Sequence, residues 1–148
     1  MNSTLDPELI AERIESLKAG IVGGLSVCFA FVLVSLLNTF VLAKYFQSLV
    51  SLHSDANWHL WEKIAIATFT GLLFGVTYRY IIRSDKNPQL KAGGVLAFGL
   101  VRGLTQIENH TTIWPFLILA AESLFWFTFA AIALDIAIKL RWIKPFSS

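Results

Sequence analysis

Arg102 and Glu122 are opposite charges inside two otherwise uncharged stretches, AGGVLAFGLVRGL and WPFLILAAESLFWFTFAAIAL. If these stretches form a helical hairpin that turns near residue 111, the two charges reach similar depths in a membrane and can pair. An isolated charge at that depth costs about 3 kcal/mol on insertion scales, so each should face protein, water or an opposite charge. Three uses remain open: an ion pair that fixes helix register, a relay for protons or ions, or a polar handle for a cofactor.

Histidines and aromatic rings are the other residues with possible chemistry. His53, His59 and His110 fall in connecting segments, where they permit a metal or an axial tetrapyrrole ligand, but their spacing matches no helical zinc motif and solvated loop histidines are the preferred interpretation. His110, Phe125 and Trp126 are candidate contacts to a flat pigment such as chlorophyll, carotenoid or quinone. Packing against lipid or neighbouring helices explains the same rings. We expect no metal site and no resident cofactor.

Glycines recur at a spacing that flattens one helix face. Because lipid supplies no hydrophobic drive for helix association, such faces let helix backbones approach closely. They either pack the membrane helices against each other or offer a flat surface to a partner subunit or a pigment ring. The G-x-x-x-G pairs are Gly20/Gly24, Gly71/Gly75 and Gly99/Gly103.

Long uncharged stretches predict an all-α, polytopic membrane protein with four transmembrane helices. Every residue from Ala19 to Ala43 is uncharged, and about 20 apolar residues suffice to cross a bilayer. We predict spans over about 20–43, 63–82, 90–107 and 114–140, all within one domain, 19–148. The third span is interrupted by Arg102, and a hairpin with the fourth would help to hold it in the membrane.

Residues 1–18 predict a separate amphipathic helix at the membrane interface. Asp6 suits the N-cap and Pro7 the first helical position. One face is apolar, with Leu5, Leu9, Ile10, Ile14 and Leu17. Because the polar face is acidic, whereas binders of anionic lipid prefer Lys and Arg, docking onto another protein explains this helix as well as a position on the lipid surface does.

Lys and Arg are distributed unequally about the four predicted spans. Lys44 and Lys63 flank one side, and the other side carries Arg13, Lys18, Arg79, Arg83, Lys86, Lys91, Lys139, Arg141 and Lys144. This excess predicts that both termini face the cytoplasm, or the stroma-like side of an internal membrane. Asp135 stands one turn before Lys139, and local pairing and snorkelling explain it.

Composition excludes several classes of function. With 55% hydrophobic and 15% charged residues, the chain is too apolar for an ordinary soluble domain. Its basic residues are concentrated at span ends, which argues against a nucleic-acid partner, and no soluble small-molecule substrate is evident. No phosphate-binding loop, dinucleotide fingerprint, nucleophile elbow or H-E-x-x-H motif occurs, so we expect a protein that is not an enzyme.

The segment LLFGVTYRYIIRSDKNPQLKAGGVLAFGLVRGL, residues 72–104, resembles a family of small uncharacterised integral membrane proteins of cyanobacteria and plant plastids. The G-V-T-Y-R-Y and N-P-Q-L-K-A-G strings carry this resemblance. It implies a thylakoid or cyanobacterial plasma-membrane location and a connection to photosynthetic complexes. It supplies no catalytic residues.

Many packing features and few chemical ones favour a role in binding. The leading hypothesis is a small accessory, assembly or structural subunit of a larger membrane complex, in contact with membrane lipid and other integral membrane subunits. The alternative is a small transporter or channel for ions or solutes, in which Arg102 and Glu122 line a polar path.

Overall fold

The computed structural model describes residues 6–37, 40, 57–82, 87–105 and 113–146, and for 57–59, 115 and 116 it describes the backbone alone. All secondary structure in these ranges is helical, which confirms the all-α prediction. The helices are α1 (Pro7–Leu37), α2 (Asn57–Ile81), α3 (Pro88–Thr105) and α4 (Ile113–Lys139).

The first helix differs from the prediction of a surface helix followed by a separate span. It begins at Pro7, as the capping pattern indicates, and then continues for 31 residues without a break. The glycines that follow Lys18 do not interrupt the helix, because Gly20, Gly23 and Gly24 are buried against α2. At about 1.5 Å per residue, α1 is about 46 Å long and exceeds the roughly 30 Å hydrocarbon core of a bilayer.

The third helix has an identifiable start. The side-chain oxygen of Asn87 accepts a hydrogen bond from the backbone N–H of Gln89 at 3.0 Å, and Pro88 occupies the first helical position, where a missing N–H costs little. The helix therefore begins two residues before the predicted boundary at residue 90. Its buried residues are Gly94, Gly99 and Gly103, so its neighbours pack directly against its backbone.

Three of the four helices are long and apolar enough to cross a membrane: Pro7–Leu37, Leu60–Ile81 and Leu117–Lys139. The α3 helix is not among them. Large apolar side chains on each of the three point outward; Leu25 is 64% exposed, Phe69 62% and Ile132 55%. Outward-facing surfaces of this kind belong in lipid, and the chain has the features of a multi-pass membrane protein.

Helices that follow one another in the chain run antiparallel. The most extensive contacts are those between α1 and α2 and those between α3 and α4. The two pairs meet where α1 contacts α4 and α2 contacts both α3 and α4. Small and aromatic side chains form the shared core, including Ala19, Val27, Ala30, Ala67, Phe74, Phe127, Ala130 and Leu134. Residues near both ends of the described chain lie at the same end of the bundle, since Glu15 contacts Lys144.

A tight turn ends α4 and reverses the chain. Arg141 adopts a left-handed conformation with φ of 58°, and the carbonyl of Ala137 accepts hydrogen bonds from the N–H groups of Trp142 at 3.0 Å and Ile143 at 3.4 Å. Such a conformation costs a side-chain-bearing residue about 1 kcal/mol. The turn directs Ile143, 1% exposed, into the core. We call residues 140–146 the C-terminal strap.

Candidate functional site

A fully buried arginine stands at the end of the bundle where both chain ends meet. Arg79 lies in the last turn of α2 and its exposed fraction is 0%. Its Nη1 donates to Ser16 Oγ at 2.8 Å, its Nε donates to the carbonyl of Lys144 at 2.9 Å, and its Nη2 donates to the Glu12 carboxylate. A buried guanidinium is tolerated because its donors find three acceptors, two on α1 and one in the C-terminal strap.

Aromatic rings cover the same guanidinium. The Arg79 Cζ atom lies 5.9 Å from the ring centroid of Tyr80 and 5.7 Å from that of Phe146, and the two rings are 5.0 Å apart. These distances are at the outer limit of a cation–π contact. The two rings shield the charge from solvent. The contact between them holds the C-terminal strap, which carries Phe146, against α2.

Glu15 fixes the strap from the side of α1. Its Oε2 accepts a hydrogen bond from the backbone N–H of Lys144 at 2.8 Å, and its Oε1 accepts from Lys18 Nζ at 2.8 Å. The N–H of Lys144 is thus held by α1, while its carbonyl is held by Arg79 of α2. We call Glu12, Glu15, Ser16, Arg79 and Lys144 the Arg79 cluster.

A second polar cluster lies near the same end of the bundle as the Arg79 cluster and joins α2, α3 and α4. Asp135 of α4 accepts hydrogen bonds from Lys91 of α3 at 2.8 and 2.9 Å and from the Tyr78 hydroxyl of α2 at 3.2 Å. The sequence suggested local pairing with Lys139, one turn away. The structure instead gives Asp135 partners on two neighbouring helices, so this carboxylate links α2, α3 and α4.

Arg102 and Glu122 belong to a third polar cluster, about halfway along the bundle. The two charges interact through space. Arg102 Nη1 donates to Thr70 Oγ1 over a long 3.4 Å, and the guanidinium lies over the Trp126 ring, 4.7 Å from its centroid. Thr70 precedes Arg79 by two and a half turns of α2, or about 14 Å. Arg102 therefore lies about 14 Å along the bundle from the Arg79 cluster.

Three phenylalanine rings pack between this central cluster and the Asp135 cluster. Phe74, Phe98 and Phe127 come from α2, α3 and α4, and their centroids are 5.1 to 5.6 Å apart. Phe74 and Phe127 are completely buried. We call these rings the phenylalanine plug. It separates the two polar clusters with close-packed apolar groups.

Two of the candidate pigment contacts, Phe125 and Trp126, point to different sides of α4. Trp126 is 3% exposed and packs edge-on against Phe31, with centroids 5.2 Å apart, whereas the adjacent Phe125 is 50% exposed and points away from the core. His110 lies outside the described residues. In the described ranges no group of three or more His, Cys, Asp and Glu residues is arranged to hold a metal ion.

The glycines of the three G-x-x-x-G pairs all lie against a neighbouring helix. A Cβ added to Gly20 would come within 3.1 Å of Val76, and one on Gly24 within 3.2 Å of the Thr68 carbonyl. A Cβ on Gly75 would collide with the carbonyl of Ala19. Gly71 faces Gly23 and Val27, Gly99 faces Leu124, and Gly103 faces Ala120. These flat faces are therefore occupied inside the bundle.

Two important residues were not singled out from the sequence. Arg79 was counted among basic residues that flank a span, and nothing in its local sequence indicates partners on α1 and the C-terminal strap. Gly23 lies outside the G-x-x-x-G pairs, yet a Cβ there would come within 2.5 Å of the Gly71 carbonyl. The GG dipeptide at Gly23–Gly24 was the available signal.

Comparison with known proteins adds no relative to this description. The chain matches no protein-family model, no curated protein and no solved structure.

Proposed function

We propose that the chain crosses the membrane four times, with both termini on the cytoplasmic or stroma-like side. The contact of Glu15 with Lys144 supports this topology, because it joins the two ends of the described chain. The path of α3 also supports it: Lys91 lies level with Asp135 at one end of α4, and Gly103 packs against Ala120 toward the other. Packing against α4 compensates for the weak hydropathy of α3.

Site-directed labelling tests this topology. In a Cys28→Ser background, single cysteines replace Glu8, Trp142 and Trp61, all exposed. An impermeant maleimide should label Glu8→Cys and Trp142→Cys from the same face of sealed vesicles and Trp61→Cys from the opposite face. Labelling of Glu8→Cys and Trp142→Cys from opposite faces would exclude four crossings.

We propose further that this protein is a non-enzymatic accessory or assembly subunit of a larger membrane complex, and that it acts by docking its lipid-facing helix surfaces onto other subunits. One observation supports this function above the others: the interior polar groups form fixed links between helices, and the phenylalanine plug closes the space between them. A bundle built in this way is a rigid body whose outer surface is available for interaction.

Co-purification tests the accessory role. The protein, tagged after Ser148 and expressed in its native membrane, is extracted in mild detergent and analysed on a native gel. We expect it to migrate with larger integral membrane proteins, identified by mass spectrometry, and the resemblance of residues 72–104 favours partners from a photosynthetic membrane. Migration as a free 16.5 kDa monomer under every mild extraction condition would contradict the proposal.

A small transporter or channel is the second candidate. The charges of Arg102 and Glu122 at mid-depth favour it, as does the indole N–H of Trp126, which is buried without a hydrogen-bond partner among the described residues. Glu122→Gln separates the two functions, with exposed Glu8→Gln as its control. Loss of flux in proteoliposomes with normal assembly supports transport. Loss of partner binding or protein level in Glu122→Gln alone supports a role in helix register.

A further inference from the structure

The C-terminal strap and the last residue of α4 present an exposed cationic surface. The side chains of Lys139, Arg141 and Lys144 are all exposed. Among them stand two outward-facing apolar residues, Leu140, which is 58% exposed, and Trp142, which is 70% exposed. Cations, an aliphatic side chain and an indole ring therefore share one short segment at the end of the bundle.

The backbone at Arg141 indicates that its side chain is needed there. A φ of 58° is the conformation that glycine adopts without strain at the end of a helix, and a residue with a Cβ pays a penalty for it. Glycine would make the same turn more easily. An arginine in this strained position supplies an exposed guanidinium that glycine would lack, and strain of this kind points to a function.

The backbone of the strap is held by α1, α2 and the core, and this fixes the points from which its cationic side chains extend. The N–H of Lys144 is bound by Glu15, its carbonyl is bound by Arg79, and Ile143 is buried in the core. Among the described residues, the carboxylates next to the strap bind other cations: Glu12 binds Arg79, Glu15 binds Lys18, and Asp135 binds Lys91. The strap therefore keeps its positive charge, and in the proposed four-span topology, on which this inference rests, it lies at the level of the lipid headgroups.

We propose that the strap is a binding site for the headgroup of an anionic membrane lipid. Arg141 and Lys144 contact the headgroup phosphate, for which a guanidinium supplies paired donors, and Lys139 adds charge. Trp142 occupies the boundary between headgroups and acyl chains, where indole rings are favoured. The exposed Leu140 and Trp142 favour a lipid over free phosphate, because acyl chains cover these apolar surfaces.

Lipid retention by the purified full-length protein tests this site. The protein is exchanged into mixed micelles that contain phosphatidylglycerol and phosphatidylcholine in equal amounts, and bound lipid is counted by native mass spectrometry. We expect the wild type to retain phosphatidylglycerol in preference. Arg141→Gly should lower that retention about fivefold, and salt should weaken it further. Inorganic phosphate at millimolar concentration should not compete.

Arg141→Gly also distinguishes a lost ligand from a lost fold. Because glycine relieves the strained turn, the thermal midpoint of the Arg141→Gly variant without added lipid should equal or exceed that of the wild type. The control is Lys63→Gln, an exposed lysine at the opposite end of α2, which should retain lipid as the wild type does. Equal retention of both lipids by the wild type, undiminished retention by Arg141→Gly, or displacement by free phosphate would overturn the proposal.

Discussion

Arg79 Nη1 donates a hydrogen bond to Ser16 Oγ over 2.8 Å, although 63 positions separate the two residues in the chain. The same guanidinium binds Glu12 and the carbonyl of Lys144, so one buried cation joins α1, α2 and the C-terminal strap. At no other described residue do a buried charge, several hydrogen bonds and contacts between distant parts of the chain coincide to this extent.

Substitution of Arg79 should therefore destabilise the whole bundle. Arg79→Ala removes a hydrogen-bond donor from the Glu12 carboxylate, the Ser16 hydroxyl and the Lys144 carbonyl, and we expect the free energy of unfolding to fall by about 3 kcal/mol. Thermal unfolding in detergent measures this change. Arg13→Ala is the control, since Arg13 is exposed and adjacent to Glu12, and its effect should stay below about 0.5 kcal/mol. Similar losses in both variants would show that the Arg79 cluster contributes little.

The glycines at the α1–α2 contact should not tolerate even one methyl group. A Cβ at position 75 would collide with the Ala19 carbonyl, so Gly75→Ala must push the two helices apart at a cost of about 1–3 kcal/mol. Gly93→Ala is the matched control, because a Cβ there has no neighbour within 4 Å and alanine favours a helix by about 0.5–1 kcal/mol. Thermal midpoints should therefore move in opposite directions. Two shifts in the same direction would argue against close packing at Gly75.

Asp135 should couple energetically to Lys91 and not to Lys139. A double-mutant cycle with Asp135→Asn and Lys91→Met should give a coupling free energy of about 0.5–1 kcal/mol, since both side chains are partly exposed and solvent screens the pair. The cycle with Lys139→Met should give a value near zero. Denaturant unfolding of the single and double variants measures both. Stronger coupling to Lys139 would restore the local pairing suggested by sequence.

The phenylalanine plug should contribute more to stability than the ring beside it in sequence. Phe127→Ala removes a fully buried ring that touches Phe74 and Phe98, and we expect a loss of about 3–5 kcal/mol. Phe125→Ala removes a ring that is half exposed, and its effect should be about 1 kcal/mol or less. The ratio of the two losses, from unfolding in the same detergent, is the measured quantity. Equal losses would mean that the plug is not tightly packed.

The sequence predicted an all-α chain and the approximate positions of α2, α3 and α4, because long uncharged stretches are local signals, but it did not predict that α1 runs unbroken from Pro7 to Leu37. The partners of Arg79 and Asp135 could not be predicted in this way. A basic residue at the end of a span is ordinarily explained by snorkelling, and nothing local indicates that Glu12, 67 positions away, would bury it. The Lys139 partner suggested for Asp135 follows helix geometry alone, whereas tertiary packing supplies Lys91.

Glycine spacing predicted close contacts but not their register. The G-x-x-x-G rule selected Gly20 and Gly24 on α1, while the packing of α1 against α2 brings Gly23 nearest to Gly71 and Gly75. All three glycines lie within just over one helical turn, so their order of closeness depends on the rotation of one helix against another. That rotation is set by side chains on both helices together and is not visible in either segment alone.

The pairing of α1 with α2 and of α3 with α4 has a consequence for biogenesis. An antiparallel pair can enter the lipid as one unit as it leaves the ribosome, and the first pair is apolar enough to do so unaided. The α3 helix is not, so in the proposed four-span topology we expect it to enter the lipid only together with α4. Truncation before residue 113 should therefore leave the segment Pro88–Thr105 outside the lipid, while the preceding hairpin is already inserted.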